Sequence, residues 1–134
     1  MPIELIAIVV GAIFLLWLVN YTQRITTGFN REYYRRKWSE IETLKRTSAA
    51  GARLAVIEAD KLLDHALKDL KLRGQTMGDR LKSAGQMLGN QNDVWTAHKL
   101  RNQLAHEDAH PKPAEISRAL NGFAKSLKSL GALK

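Results

Sequence analysis

The stretch AVIEADKLLDHAL, residues 55–67, decides the fold class. At about 100° per residue, Ala55, Val56, Ala59, Leu62, Leu63, Ala66, Leu67 and, just beyond, Leu70 share one broad face. Asp60 and Asp64, one turn apart, lie together on its flank. A strand would need alternation with period two, and none occurs from Ala52 onward; nor is there an Asn-Gly or Asp-Gly hairpin signal. The spacing therefore predicts a helix over residues 52–72, stopped by Gly74, in an all-α chain.

The same logic extends downstream. Thr76 predicts the N-cap of a short helix, with Asp79 three residues on as capping-box partner and Leu81, Ala84, Met87 and Leu88 as its apolar side. Gly89-Asn90 closes it. A third helix begins near Asp93 and runs through VWTAHKLRNQLAHE. Pro113 and Glu115 suit the first turn of a last helix, in which Ile116, Leu120, Phe123, Leu127 and Leu130 recur at four, three, four and three residues. Gly131 ends that core seam.

The helix over 94–107 departs from this pattern. Ala97, Leu100 and Leu104 form a compact core sector, while Thr96, Lys99, Gln103 and Glu107 form a solvent sector. The remaining arc holds Val94, Trp95, His98, Arg101, Asn102, Ala105 and His106. His98, Asn102 and His106 stack one turn apart beside Trp95. Two imidazoles, a carboxamide and a guanidinium beside an aromatic ring suit a partly buried polar site or a subunit contact.

Within that arc, Arg101-Asn102-Gln103-Leu104-Ala105-His106 has the form R-N-x-x-x-H. It resembles the signature of the HEPN superfamily, helical-bundle domains found in metal-independent ribonucleases and in toxin, nucleotide-sensing and defence proteins. The segments AVIEADKLLDHAL, MGDRLKSA (77–84) and WTAHKLRNQLAHE (95–107) look like those of small membrane-anchored bacterial proteins. The likeness covers roughly residues 52–131. It implies a compact four-helix HEPN-like bundle over 51–134. In a catalytic member, His106 would be the general acid or base, Arg101 would stabilise charge on phosphorus, and Asn102 would orient the site. His98, Trp95 and an acidic residue of an earlier helix would support them. Asp60, Asp64 and Glu58 are all candidates for that acid. The imidazole titrates near neutrality, and the guanidinium matches phosphate oxygens. On one straight helix, however, Arg101 and His106 point about 140° apart, so a second copy would help them converge.

Upstream, residues 22–50 read as a basic juxtamembrane neck. FNREYYRRKWSEIETLKR (29–46) interleaves aromatics with cations, and Tyr34, Trp38 and Ile41 make an amphipathic stripe. Arg31, Arg35, Arg36, Lys37 and Trp38 suit contact with anionic lipid headgroups or another polyanion. Thr27-Gly28 is a natural swivel, and a second break falls at TSAAG (47–51). Residues 1–21 read as a transmembrane anchor: Ile3–Val19 carries one charge, Glu4, and Trp17 and Tyr21 sit where interfacial aromatics belong. No Lys or Arg precedes the apolar run, and Asn20-Tyr21-Thr22 is a poor cleavage site, so the segment is not read as a cleaved signal. Cations clustered after the span place the N-terminus outside and the rest in the cytoplasm, at a cytoplasmic (inner) membrane.

All 21 Lys and Arg, but 12 of the 13 Asp and Glu, follow Tyr21, leaving that part at +9. Such charge favours an anionic partner, lipid or RNA. The chain has no cysteine, which excludes disulfides, thiolate catalysis and zinc–cysteine sites. His106-x3-His110 has metal spacing but lacks a third ligand, so no metal is expected. With no dinucleotide fingerprint, P-loop or catalytic triad, no cofactor is expected either. The reading is an anchored interaction or regulatory module whose polar arc meets a partner or a second copy. A tethered endoribonuclease using Arg101 and His106 is the alternative, and nonspecific RNA binding the second alternative.

Overall fold

The computed structural model describes residues 2–26, 28–106 and 108–134, apart from the side chains of residues 22–26. Thr27 of the proposed swivel and Glu107 of the solvent sector therefore lie outside it. The described chain is all-helical: α1 (Ile3–Thr26), α2 (Arg31–Thr47), α3 (Ala49–Asp69), α4 (Met77–Ala84), a 3-10 turn (Gly85–Leu88), α5 (Gln91–His106) and α6 (Pro113–Leu130).

Each boundary has a local cause. Asn30 caps α2 by accepting from the Tyr33 amide at 3.1 Å, and Ser48 caps α3 through the Gly51 amide at 2.9 Å. Thr76 and Asp79 form the predicted reciprocal box on α4, at 3.1 and 3.3 Å. In α6, Pro113 opens the helix, Glu115 reaches back to the Lys112 amide at 2.7 Å, and Gly131 closes it in the left-handed region at φ +90°. Two predicted starts move: α3 begins at Ala49 rather than residue 52, because Ser48 is the better cap, and α5 begins two residues ahead of Asp93.

The core follows the α3 and α6 stripes, whereas Met87 is exposed and Leu100 and Leu104 of the predicted α5 core sector are only half-buried. Val56, Leu63, Leu67, Phe123 and Leu127 are fully buried, and all five seam residues of α6 face inward. Helix α3 is the hub, packing on α2, α4, α5 and α6. Val94 is a correction: placed in the polar arc by its wheel angle, it is completely buried. Helix α6 approaches α5 closely there. A Cβ on Gly122 would stand 3.1 Å from the Asp93 carbonyl oxygen, so a glycine lets α6 lie against the first turn of α5, where Val94 is covered.

Helix α2 belongs to this packing. Tyr34 and Ile41 are buried against α3, so protein covers these two residues of the stripe that the sequence offered to a bilayer, while Trp38 stays half-buried. Near the start of α2, the Tyr34 hydroxyl donates to Asp69 Oδ2 at 2.6 Å and meets His65 Nδ1 at 2.8 Å, both near the end of α3. The two helices are thus antiparallel. Burial and the Asp69 bond push the Tyr34 hydroxyl well above the usual phenol range, so it remains a donor. His65 is half-exposed and tied to this lock.

The α2–α3 turn requires Gly51. A Cβ there would sit 2.5 Å from the Leu44 carbonyl oxygen and collide with the Thr47 hydroxyl. The hydroxyl can rotate away, whereas the carbonyl is held in α2. Gly51→Ala is expected to destabilise the chain by about 1–3 kcal/mol, despite alanine's better helix propensity. Urea unfolding of the full chain in neutral detergent checks this, and a stabilised variant would refute the close approach.

Helix α1 stands apart. Ile3–Tyr21 has a mean hydropathy of 2.4 and none of it is buried. It is long and apolar enough to cross a membrane, and among the described residues it packs against no other helix.

Candidate functional site

Two carboxylates on the flank of α3 organise the polar arc of α5. Asp60 is 3% exposed. Its Oδ1 lies 2.7 Å from His98 Nδ1, and its Oδ2 lies 3.4 Å from Arg101 Nε. The carboxylate accepts, so His98 carries a proton on Nδ1, and in the neutral ring Nε2 is the acceptor. Arg101 Nη1 donates to the Asn102 side-chain oxygen at 3.1 Å. Arg101 Nε is buried without a well-formed hydrogen bond, so Asp60 holds it by charge. One buried acid thus fixes two side chains spaced three residues apart on α5.

Asp64, one turn further along α3, serves a different partner. Arg80 grips it with Nε at 2.6 Å and Nη2 at 3.0 Å, while Nη1 donates to the Gly74 carbonyl at 2.8 Å. Lys68 Nζ stands 3.3 Å from the same carboxylate. Burial raises the Asp64 carboxyl, but the bonds and charge of Arg80, with Lys68 behind them, outweigh it and hold Asp64 below the ordinary carboxylate range. Sequence reasoning missed Arg80. The available signal was a charge at position 80 on the apolar side of a short helix, between Met77 and Leu81, where only a buried acid could justify it.

These groups surround an open polar pocket of about 510 Å³. Asp60, Asp64, Arg80, His98, Arg101 and Asn102 line it, with Gln75 and Thr76 at the entry to α4. A second hollow of about 370 Å³ adjoins it along α5, lined by Trp95, Thr96, His98, Lys99 and Asn102. The Trp95 and His98 rings meet edge-on at 6.1 Å. Of the residues singled out from sequence, the structure gathers Asp60, Asp64, His98, Arg101 and Asn102 at one pocket and Trp95 beside it. It does not bring His106 there. His106 ends α5, is exposed, lines neither hollow and is unpartnered among the described residues. Glu58 pairs with Lys61 at 3.3 Å instead of joining the arc.

The arrangement is a preorganised donor–acceptor surface, with Arg101 still 27% exposed for an incoming oxygen. Among the described residues no three His, Asp or Glu side chains converge as metal ligands, and His110 pairs only with Asp108 at 3.2 Å.

The neck cations lie elsewhere. Arg31, Arg35 and Arg36 are exposed and Lys37 is half-exposed. Arg35 pairs with Glu32 at 2.7 Å, Lys37 with Glu40 at 3.4 Å, and Trp38 Nε1 donates to Glu42 at 3.2 Å.

No family model, curated protein or solved structure matches the chain.

Proposed function

We propose that the chain is a membrane-anchored, non-catalytic interaction module, a HEPN-like bundle whose docking face is the His98–Arg101–Asn102 arc of α5. The observation that carries this reading is the single buried carboxylate, Asp60, clamping His98 and Arg101 at the rim of an open pocket. Holding a polar surface rigid before contact lowers the entropy cost of binding, and Trp and Arg are the side chains that most often dominate an interface. Helix α1 crosses the cytoplasmic membrane and keeps the bundle at its inner surface. Copies confined to one plane meet often, so the first partner is a second copy, arc against arc across a two-fold axis.

The position of His106 weighs against the endoribonuclease alternative within one chain, since it stands outside the pocket that holds Arg101. Nonspecific RNA binding has only the overall charge behind it.

The absence of native cysteine makes the test clean. Asn102→Cys in the full chain, oxidised in native-like vesicles, is expected to give a disulfide-linked dimer as the main product, whereas Lys125→Cys gives little. Adding Arg101→Ala should cut the cross-link about tenfold. Monomer only from Asn102→Cys would refute the two-fold contact. Cleavage of single-stranded RNA in EDTA, lost in both Arg101→Ala and His106→Ala, would refute the non-catalytic reading.

A further inference from the structure

A further hollow lies away from the polar arc. It is a groove of about 560 Å³ between the first two turns of α2 and the end of α6. Trp38 and Leu133, both half-buried, give it an apolar floor, and Arg31, Arg35, Lys128 and Lys134 stand around it. Two acids line it as well. Glu32 is consumed by Arg35, and Glu42 accepts from the Trp38 indole. Among the described residues Arg31, Lys128 and Lys134 have no carboxylate partner, and with Arg35 they set four cations against the two carboxylates of Glu32 and Glu42, so the groove keeps a net positive charge above apolar surface. That pairing matches an anionic headgroup with its glycerol and upper acyl carbons.

Chain length says what can reach it. Tyr21 ends the apolar segment of α1, and helix continues to Thr26. Five helical residues rise about 8 Å. The five residues from Thr26 to Arg31 span at most about 17 Å. Arg31, in the first turn of α2, is therefore within about 25 Å of the end of the apolar span, at the end of the bundle nearest the bilayer surface. The tail of α6 returns to that same end.

We propose that this groove is a seat for the headgroup of an anionic phospholipid of the bilayer that α1 crosses. Arg31, Lys128 and Lys134 contact the phosphate, and Trp38 and Leu133 lie against the glycerol and first methylenes. The seat orients the bundle on the membrane and leaves the α5 arc clear for its partner. The proposal rests on the anchor reading but not on what the arc binds.

The test uses the full chain in neutral detergent, titrated with dioleoyl-phosphatidylglycerol or dioleoyl-phosphatidylcholine and followed by native mass spectrometry. Phosphatidylglycerol is expected to bind at least about tenfold tighter. Lys128→Gln/Lys134→Gln should remove that preference. Lys45→Gln/Arg118→Gln removes equal charge from exposed positions at the other end of the bundle and should leave it within about twofold. Equal affinity for the two lipids overturns the proposal, as does an equal loss in both double variants. Displacement of bound lipid by equimolar single-stranded RNA also overturns it, by making the groove a nucleic-acid site. Failure of the anchor reading shows separately, as release of the chain from membranes by alkaline carbonate. That result removes the tether argument and overturns the seat with it.

Discussion

Asp60→Ala is expected to lower the unfolding free energy by about 3–5 kcal/mol, the largest effect of any single substitution on the polar arc. The reason is asymmetric. Asp60 is almost wholly buried and serves two cationic or proton-bearing groups at once. Removing it leaves the His98 Nδ1 donor, 2.7 Å away in the native chain, without an acceptor and the buried Arg101 Nε without an opposing charge. Arg101 can swing partly into water, which places the loss toward the lower end of the range. Asp60→Asn keeps an acceptor oxygen but no charge, and should cost roughly half as much. The effects must couple. In a double-mutant cycle, Asp60→Ala with Arg101→Ala should cost about 1–3 kcal/mol less than the sum of the single changes. Urea unfolding of the full chain in neutral detergent, followed by helical circular dichroism, reads all of these. An Asp60→Ala loss below about 1 kcal/mol would mean that His98 and Arg101 are not held by this carboxylate, and the preorganised arc would go with it.

How much of this was legible in the sequence depends on what a one-dimensional pattern encodes. The α6 seam, the α3 stripe, the Thr76–Asp79 box and the Gly131 stop follow from spacing and local hydrogen bonding, and the structure has all of them. A stripe says that a face wants to leave water without saying what covers it. Tyr34 and Ile41 satisfy the same periodicity against α3 as they would against lipid, and only the tertiary packing separates the two. Val94 fails for a related reason. The width of a buried strip depends on how closely the neighbouring helix approaches, and that distance is set by Gly122, almost thirty residues away.

The site was half legible. Unusual polar density on one arc of α5 pointed to His98, Arg101 and Asn102. Choosing among Glu58, Asp60 and Asp64 needed the crossing of α3 with α4 and α5. Asp60 and Asp64 lie one turn apart on the same helix, so sequence cannot divide them. In space, α5 passes over the first and α4 over the second. His106 stands outside the pocket that Arg101 enters, in keeping with the roughly 140° that separates the two on the helix wheel.

The division of labour on α3 has its own consequence at Arg80. Arg80→Ala is expected to destabilise the chain by about 3 kcal/mol, the lower end for breaking a buried pair, because Lys68 still faces Asp64 and some water reaches it. Three hydrogen bonds disappear together, two to Asp64 and one to the Gly74 carbonyl, and with them the tie between α4, α3 and the connection joining them. For a bundle of about 100 residues this corresponds to roughly 12 °C in melting temperature. The loss should depend on pH with a definite sign. Asp64 is held below its ordinary value in the folded chain, so between the folded and unfolded pKa values the unfolded state binds more protons. The stability Arg80 confers through Asp64 is fully present above the unfolded value near pH 4, and disappears as pH falls through the lower folded value. Wild type and Arg80→Ala should therefore differ most at neutral pH, and the gap should narrow as pH falls below about 4 toward the part owed to the Gly74 bond and packing. A gap that stays constant from pH 7 to pH 2.5 would mean that Arg80 acts through Gly74 and packing alone. In that case the Asp64 carboxylate would be free to pair with a ligand in the pocket.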